Sequence, residues 1–150
     1  MKYYFKPDGF VIIISVVVIL TLAMTISIIP WNSVGSMVLF CLIALCLVYG
    51  LAVMPIWIKV TDKTIRVQQL LGHKTFKKTD ITIQPIEKAN LKGSIRVFGS
   101  GGYGGYTGWF RNKHLGKYFM LILNQKELAL IQTKSGKQYV INYPHQLLDN

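Results

Sequence analysis

The sequence predicts a hairpin of two transmembrane helices followed by an all-β domain built as a small antiparallel barrel or sandwich. Residues 9–58 contain no Asp, Glu, Lys, Arg or His, whereas charged residues are frequent from Lys59 onward. In this second part, apolar and polar residues alternate and turn-forming residues recur about every ten positions, which is typical of short antiparallel strands. The second part has 15 basic and 5 acidic residues and so carries +10 of the net charge of +11. This charge favours an anionic partner.

Two apolar segments, residues 10–29 and 34–54, each have the roughly 20 residues that a helix needs to cross a bilayer. Their Ser and Thr hydroxyls are tolerated because they can donate to carbonyl groups of the same helix. A cleavable signal peptide fits the first segment less well, since the apolar stretch is too long and a second one follows after residues 30–33. We therefore expect a tight helical hairpin after a short N-terminal segment, residues 1–9.

The distribution of charge predicts the orientation of this hairpin. Lys2 and Lys6 precede the first span and Lys59 follows the second, whereas the turn between the spans has no Lys or Arg. The positive-inside rule then places both termini in the cytoplasm. Because neither span contains a charged residue, a plain anchor is favoured over a pump or carrier, and a homo-oligomeric pore stays open. Cys46 and Gly50 form a small-xxx-small pair that suits helix packing.

The first strands of the β domain are expected to form a hairpin. Period-two alternation runs through residues 56–60 and resumes at residues 65–67, with Asp62 suited to the turn between them. Another strand at residues 81–86 contains Pro85, which cannot donate to a neighbouring strand. We therefore expect this strand at a sheet edge or at a bulge.

The last strands are the clearest. A short β-like stretch at residues 95–98 precedes the glycine-rich run, and three strands at residues 118–123, 128–133 and 138–143 follow it. Ser135 and Gly136 mark a tight turn between the last two of these strands. The total is about seven short strands, and the lack of helices between them disfavours a parallel sheet.

Four stretches of the sequence resemble one family. They are RVFGSGG at residues 96–102, GWFRNK at 108–113, LGKY at 115–118, and LIQTKSGKQYVI at 130–141. Together they are similar to a group of bacterial membrane proteins in which two N-terminal spans precede a pleckstrin-homology-like (PH-like) domain.

This resemblance implies that residues 55–150 form a PH-like, partly open barrel or sandwich with a C-terminal helix at one end. Only six residues follow Pro144, so this helix should be short or truncated. The resemblance also implies a multi-pass protein of the bacterial inner (cytoplasmic) membrane. It implies no particular biochemical activity.

The run GSGGYGGYTGWFRNK, residues 99–113, is the candidate site. It is not a nucleotide-binding loop, because no Lys-Ser or Lys-Thr follows at the required spacing and no βαβ unit surrounds it. Aromatic residues followed by basic ones suit contact with anionic lipid headgroups or with a partner. The candidate contact residues are Tyr103, Tyr106, Trp109, Phe110, Arg111, Lys113 and Lys117. In the structural alternative, the glycines permit sharp turns, and Trp109 and Phe110 fill one end of the barrel.

No catalytic, cofactor-binding or metal-binding constellation is recognisable in the sequence. The histidines His73, His114 and His145 lack metal-ligand spacing, and no nucleophile motif occurs. A nucleic-acid partner is disfavoured, since no recognised binding motif accompanies the charge. We expect a non-enzymatic binding or adaptor protein, integral to the bilayer, that contacts anionic lipid headgroups, a protein partner or a second copy of itself. The alternative is a structural subunit of a membrane assembly that is recognised through its helices.

Overall fold

A computed structural model describes residues 1–28 and 33–147 of the chain. Helix α1 spans Gly9–Ile28 and helix α2 spans Val34–Ala52. Each is long and apolar enough to cross a membrane, and most of their large apolar side chains are exposed. Of the expected connection at residues 30–33, only Ser33 lies within the described part of the chain.

Helix α1 starts at a capping carboxylate. Oδ1 of Asp8 accepts the N–H of Val11 at 2.9 Å, and the carbonyl group of Asp8 accepts the N–H of Ile12 at 3.1 Å. The helix tolerates its polar residues as expected, because each hydroxyl donates to the carbonyl group four residues earlier. These hydroxyls belong to Ser15, Thr21, Thr25 and Ser27, at distances from 2.7 to 3.2 Å.

The first sheet has four antiparallel strands in the order β1–β2–β3–β4. They span Lys2–Tyr4, Pro55–Val60, Thr64–Gln69 and His73–Lys77. Strands β2 and β3 form the hairpin that the alternation predicts. Strand β1, which precedes α1, was not predicted, and it pairs with β2, the first strand after α2. The sheet therefore joins the two ends of the helical pair.

The second sheet has six strands in the order β5–β9–β10–β8–β7–β6. In chain order, β5 to β10 span Ile81–Ile86, Ile95–Gly102, Gly105–Asn112, Gly116–Ile122, Leu128–Thr133 and Gln138–Asn142. Strand β5, which contains Pro85, lies at an edge as predicted. Strands β8 and β10 pair in parallel, and the other neighbours are antiparallel.

The second sheet buries apolar residues on both faces. One face packs on the first sheet, and this core contains Ile58, Ile65, Leu121, Ile131 and Ile141. The other face forms a second core that includes Tyr118, Met120, Ile122, Leu128 and Val140, covered by Leu91 and by Val11 of α1. The fold is therefore an open sandwich, and not a closed barrel.

The structure confirms the predicted fold class and adds strands to it. The described residues form ten strands, where about seven were expected, because β1 and β4 were missed and part of the glycine-rich run, β7, is itself extended. The expected C-terminal helix is represented by a 3-10 turn, His145–Leu147. Residues 148–150 lie outside the described part of the chain.

Candidate functional site at the glycine-rich hairpin

The glycine-rich run forms two closely paired strands, β6 and β7. Gly99 and Gly108 are register partners in this ladder. A Cβ atom added to Gly108 would lie 2.7 Å from the Cα of Gly99 and would also collide with the carbonyl oxygen of Phe98. Both glycines have positive φ angles, 119° and 136°, which other residues rarely adopt. Glycine is therefore required where these two backbones meet.

The turn of this hairpin, residues 102–105, lies between the two helices, and we call it the docked end. The N–H of Gly104 donates to Oγ of Ser15 in α1 at 3.1 Å. On the other side, the ring of Tyr103 lies against Gly50 of α2, where an added Cβ would lie 2.9 Å from the ring Cδ1. The sequence suggested that Gly50 packs against another helix. In the structure, its close contact is with the ring of Tyr103.

Tyr106 joins the docked end to the start of α1. Its Oη donates to Oδ2 of Asp8 at 3.4 Å, and its ring stacks on Phe10 with centroids 6.3 Å apart. The side chain is buried. Burial, followed by the negative charge of Asp8 and the hydrogen bond to it, raises the pKa of Tyr106 to about 12. The phenol therefore stays protonated at neutral pH and can keep donating to Asp8.

The aromatic candidates separate onto two faces, because side chains alternate along β7. Phe110 shares the face of Tyr106 and is buried in the second core. Trp109 lies on the opposite face and packs edge-on against Phe119, with ring centroids 5.3 Å apart. Nζ of Lys117 lies 5.0 Å from the centroid of the Trp109 ring, within range of a cation–π interaction.

Asn112 builds the turn at the other end of β7. Its Nδ2 donates to the carbonyl group of Asn90 at 2.8 Å and to Oγ of Ser94 at 3.0 Å. Its Oδ1 accepts the N–H groups of His114 at 3.0 Å and Leu115 at 2.6 Å. One buried side chain therefore fixes this turn and fastens it to the segment that precedes β6. The sequence analysis did not single out Asn112. The only pattern that indicates its role is the preference for Asn at the start of a turn.

Five exposed cations lie in or beside the turn that Asn112 fixes, or flank its hydrogen-bond partner Asn90, and we call them the basic end. They are Lys88, Lys92, Arg111, Lys113 and Lys117. Among the described residues, the only ion pair joins Lys134 and Asp80. The cations of the basic end therefore have no carboxylate partner within 4.0 Å in the described structure, and they are available to an anionic ligand.

A second turn reaches the end of α2. The N–H of Leu70 donates to the carbonyl group of Met54 at 2.9 Å, and that of Leu71 donates to Ala52 at 2.8 Å. Both leucine side chains are exposed, at 55% and 69%. The sequence analysis did not predict this apolar turn. Two leucines before a glycine, in an otherwise polar stretch, are the pattern that could have indicated it.

The comparison with protein families decides the affiliation of the β domain. A family model described as bacterial PH domain matches residues 57–145, which is more than half of the chain. The chain belongs to the bacterial PH domain family. The resemblance of the four sequence stretches is thereby confirmed, and the two apolar helices precede the PH domain as expected.

No curated protein and no solved structure matches this PH domain chain. Within residues 1–28 and 33–147, no group of three or more His, Cys, Asp or Glu side chains is placed to hold a metal ion.

Proposed function

We propose that the protein is a membrane-anchored, non-catalytic binding module whose basic end binds an acidic segment of a partner protein. The two apolar helices are the anchor, in the bacterial inner membrane with both termini in the cytoplasm. The family supports this proposal, because PH domains generally act as binding modules and not as catalysts.

The position of the basic end favours a protein partner over lipid headgroups. Strand β7 starts at Gly105, beside the helices, and reaches Arg111 six residues later. At ~3.4 Å per residue, Arg111 lies roughly 20 Å along the strand from the docked end. Electrostatic attraction in solution is screened over ~8 Å at physiological salt. We propose that the strand is directed away from the bilayer, so that Arg111 and Lys113 at the basic end meet ligands from solution before they meet lipid headgroups.

The test uses the full chain in nanodiscs of zwitterionic lipid, because strand β1, which precedes the helices, and Val11 of α1 are both part of the packed β domain. The probe is a fluorescent polyglutamate peptide, and binding is measured by anisotropy at low and moderate salt. The charge-reversal variant Arg111→Glu/Lys113→Glu/Lys117→Glu should bind at least about tenfold more weakly, since it replaces attraction by repulsion.

The matched control is Lys63→Glu/Lys77→Glu/Lys137→Glu, which changes the net charge equally at exposed positions outside the basic end. It should weaken binding by about twofold only, through the overall field. Equal losses in both variants would contradict a defined site. A third sample, vesicles of anionic lipid added to the nanodiscs, tests headgroup binding. If these vesicles bind through Arg111, Lys113 and Lys117 and the peptide does not, the protein-partner proposal fails.

The alternative, a structural subunit recognised through its helices, receives less support. The small-residue pair Cys46 and Gly50 suits helix packing, but the ring of Tyr103 lies against Gly50. Scrambling the apolar residues of the lipid-facing positions while keeping their hydrophobicity should leave peptide binding unchanged in an adaptor. A subunit recognised through its helices would lose its assembly in the same variant.

A further inference from the structure

A cavity of about 690 Å³ lies between α2 and the second sheet. Its helical wall runs from Leu45 to Val53, and its opposite wall includes Phe98, Trp109 and Phe119. The volume lies within the ~300–1,000 Å³ that is usual for small-molecule sites. The walls are mainly apolar and aromatic, so they favour a ligand with a long apolar part.

One polar group in the lining lacks a partner. Thr107 is 4% exposed, and its Oγ1 makes no hydrogen bond within the described residues. Thr107 lines the cavity. A buried hydroxyl without a partner is destabilising, so a ligand that supplied a hydrogen-bonding group would remove this penalty.

The position of the cavity indicates where the apolar part comes from. Leu45 and Val53 are eight residues apart, so the helical wall extends ~12 Å along α2 at 1.5 Å per residue. With α2 in a bilayer, most of this wall lies at the depth of one leaflet. Phe98 in the lining is exposed, and so are Leu70 and Leu71, which are hydrogen-bonded to the end of α2, so the domain is apolar where it adjoins the helix. A hydrocarbon chain can therefore enter from the leaflet without crossing water.

Two lysines lie against aromatic rings of the cavity wall. Nζ of Lys74 lies 5.0 Å from the ring centroid of Phe119, and Nζ of Lys117 lies 5.0 Å from that of Trp109. Both rings line the cavity, and no Asp or Glu does. We propose that the cavity binds one single-chain anionic amphiphile, with its hydrocarbon chain along α2 and its anionic head near Lys74 and Lys117. Such an amphiphile is either a free fatty acid or one chain of an anionic phospholipid.

The test uses the full chain in nanodiscs of phosphatidylcholine and parinaric acid, a fluorescent fatty acid. Binding is measured as saturable energy transfer from tryptophan to parinaric acid. The transfer that remains in a Trp109→Phe variant is subtracted as background. The cavity-filling variant is Cys46→Phe, and its matched control is Cys41→Phe, because both cysteines are exposed on α2 and only Cys46 lines the cavity. We expect affinity at least about tenfold lower in Cys46→Phe and unchanged in Cys41→Phe.

A second variant, Lys74→Gln/Lys117→Gln, tests the head position at the protein surface. The parent should prefer parinaric acid over its uncharged methyl ester by about tenfold, and this variant should lose the preference. A parallel sample with parinaroyl phosphatidylglycerol in the nanodisc distinguishes the sources, and saturable transfer from either ligand supports the proposal. Transfer that does not saturate, or that falls equally in the two cysteine variants, reports partitioning into the bilayer and would overturn it.

Discussion

The two ends of strand β7 differ in burial, in contacts and in charge. At the docked end, glycine backbone and tyrosine rings pack between α1 and α2, and the hydrogen bonds go to Ser15 and Asp8. At the basic end, Asn112 fixes a turn that presents exposed lysine and arginine. By composition the run from Gly99 to Lys113 is one aromatic and basic loop. Because its backbone is extended, the same residues form the docked end and the basic end, roughly 20 Å apart.

The largest expected effect comes from breaking the ladder that joins the two ends. In Gly108→Ala, the new Cβ would meet the backbone of Phe98 and Gly99, and neither can move without separating β6 from β7. We expect a loss of more than about 3 kcal/mol in the free energy of unfolding, measured by chemical denaturation of the full chain in micelles.

Gly93→Ala is the matched control for Gly108→Ala, because Gly93 also has a positive φ angle but an added Cβ meets nothing within 4 Å. It should cost only about 1 kcal/mol. Equal costs at the two positions would mean that backbone conformation, and not the contact between the strands, requires glycine.

A smaller effect should follow from a change at the basic end alone. Asn112→Ala removes four hydrogen bonds from a buried side chain, and we expect it to cost about 2–3 kcal/mol. Binding of the polyglutamate peptide should weaken with it, because the turn that carries Lys113 is no longer fixed. His114→Ala, at an exposed position in the same turn, should change stability by less than about 0.5 kcal/mol. A stable Asn112→Ala protein with unchanged peptide affinity would show that the cations act without a fixed geometry.

The smallest effect concerns the docked end at high pH. The pKa of Tyr106 is about 12 in the folded protein and 10.0 for an unperturbed phenol. The folded state therefore holds the phenolic proton more tightly, so its stability is unaffected below pH ~10 and falls between ~10 and ~12. The tyrosinate absorbance of the parent minus that of Tyr106→Phe gives this titration. Asp8→Asn should lower the pKa of Tyr106 only partly, since burial is the larger cause. A full return to 10.0 would identify Asp8 as the main cause instead.

Local sequence patterns were sufficient to predict the two helices, most strands and the edge position of Pro85. Strand β1 was not predicted, because three residues carry too little pattern and its pairing partners in β2 are 53 to 57 residues away in the chain. The candidate residues Tyr103, Tyr106, Trp109 and Phe110 were grouped by proximity in sequence. The period-two alternation of β7 already separates Tyr106 from Trp109, but recognising it required knowing that a glycine-rich run forms strands. Whether the seven candidate residues contact a membrane or a partner stays a prediction.

Strand β1 also constrains the order in which the chain can assemble. It is synthesised before both helices, yet its pairing partner β2 follows them, so the first sheet cannot be completed until the helical pair has been made. Val11, in the second core, imposes the same dependence on the other sheet. The pairing of β1 with β2 also requires the start of α1 and the end of α2 to lie on the same side. In the proposed membrane anchor, a chain whose first helix were inserted the wrong way round would leave β1 on the opposite side of the membrane and the sheet without its edge strand. In that anchor, formation of the domain would report that the helices have been placed correctly.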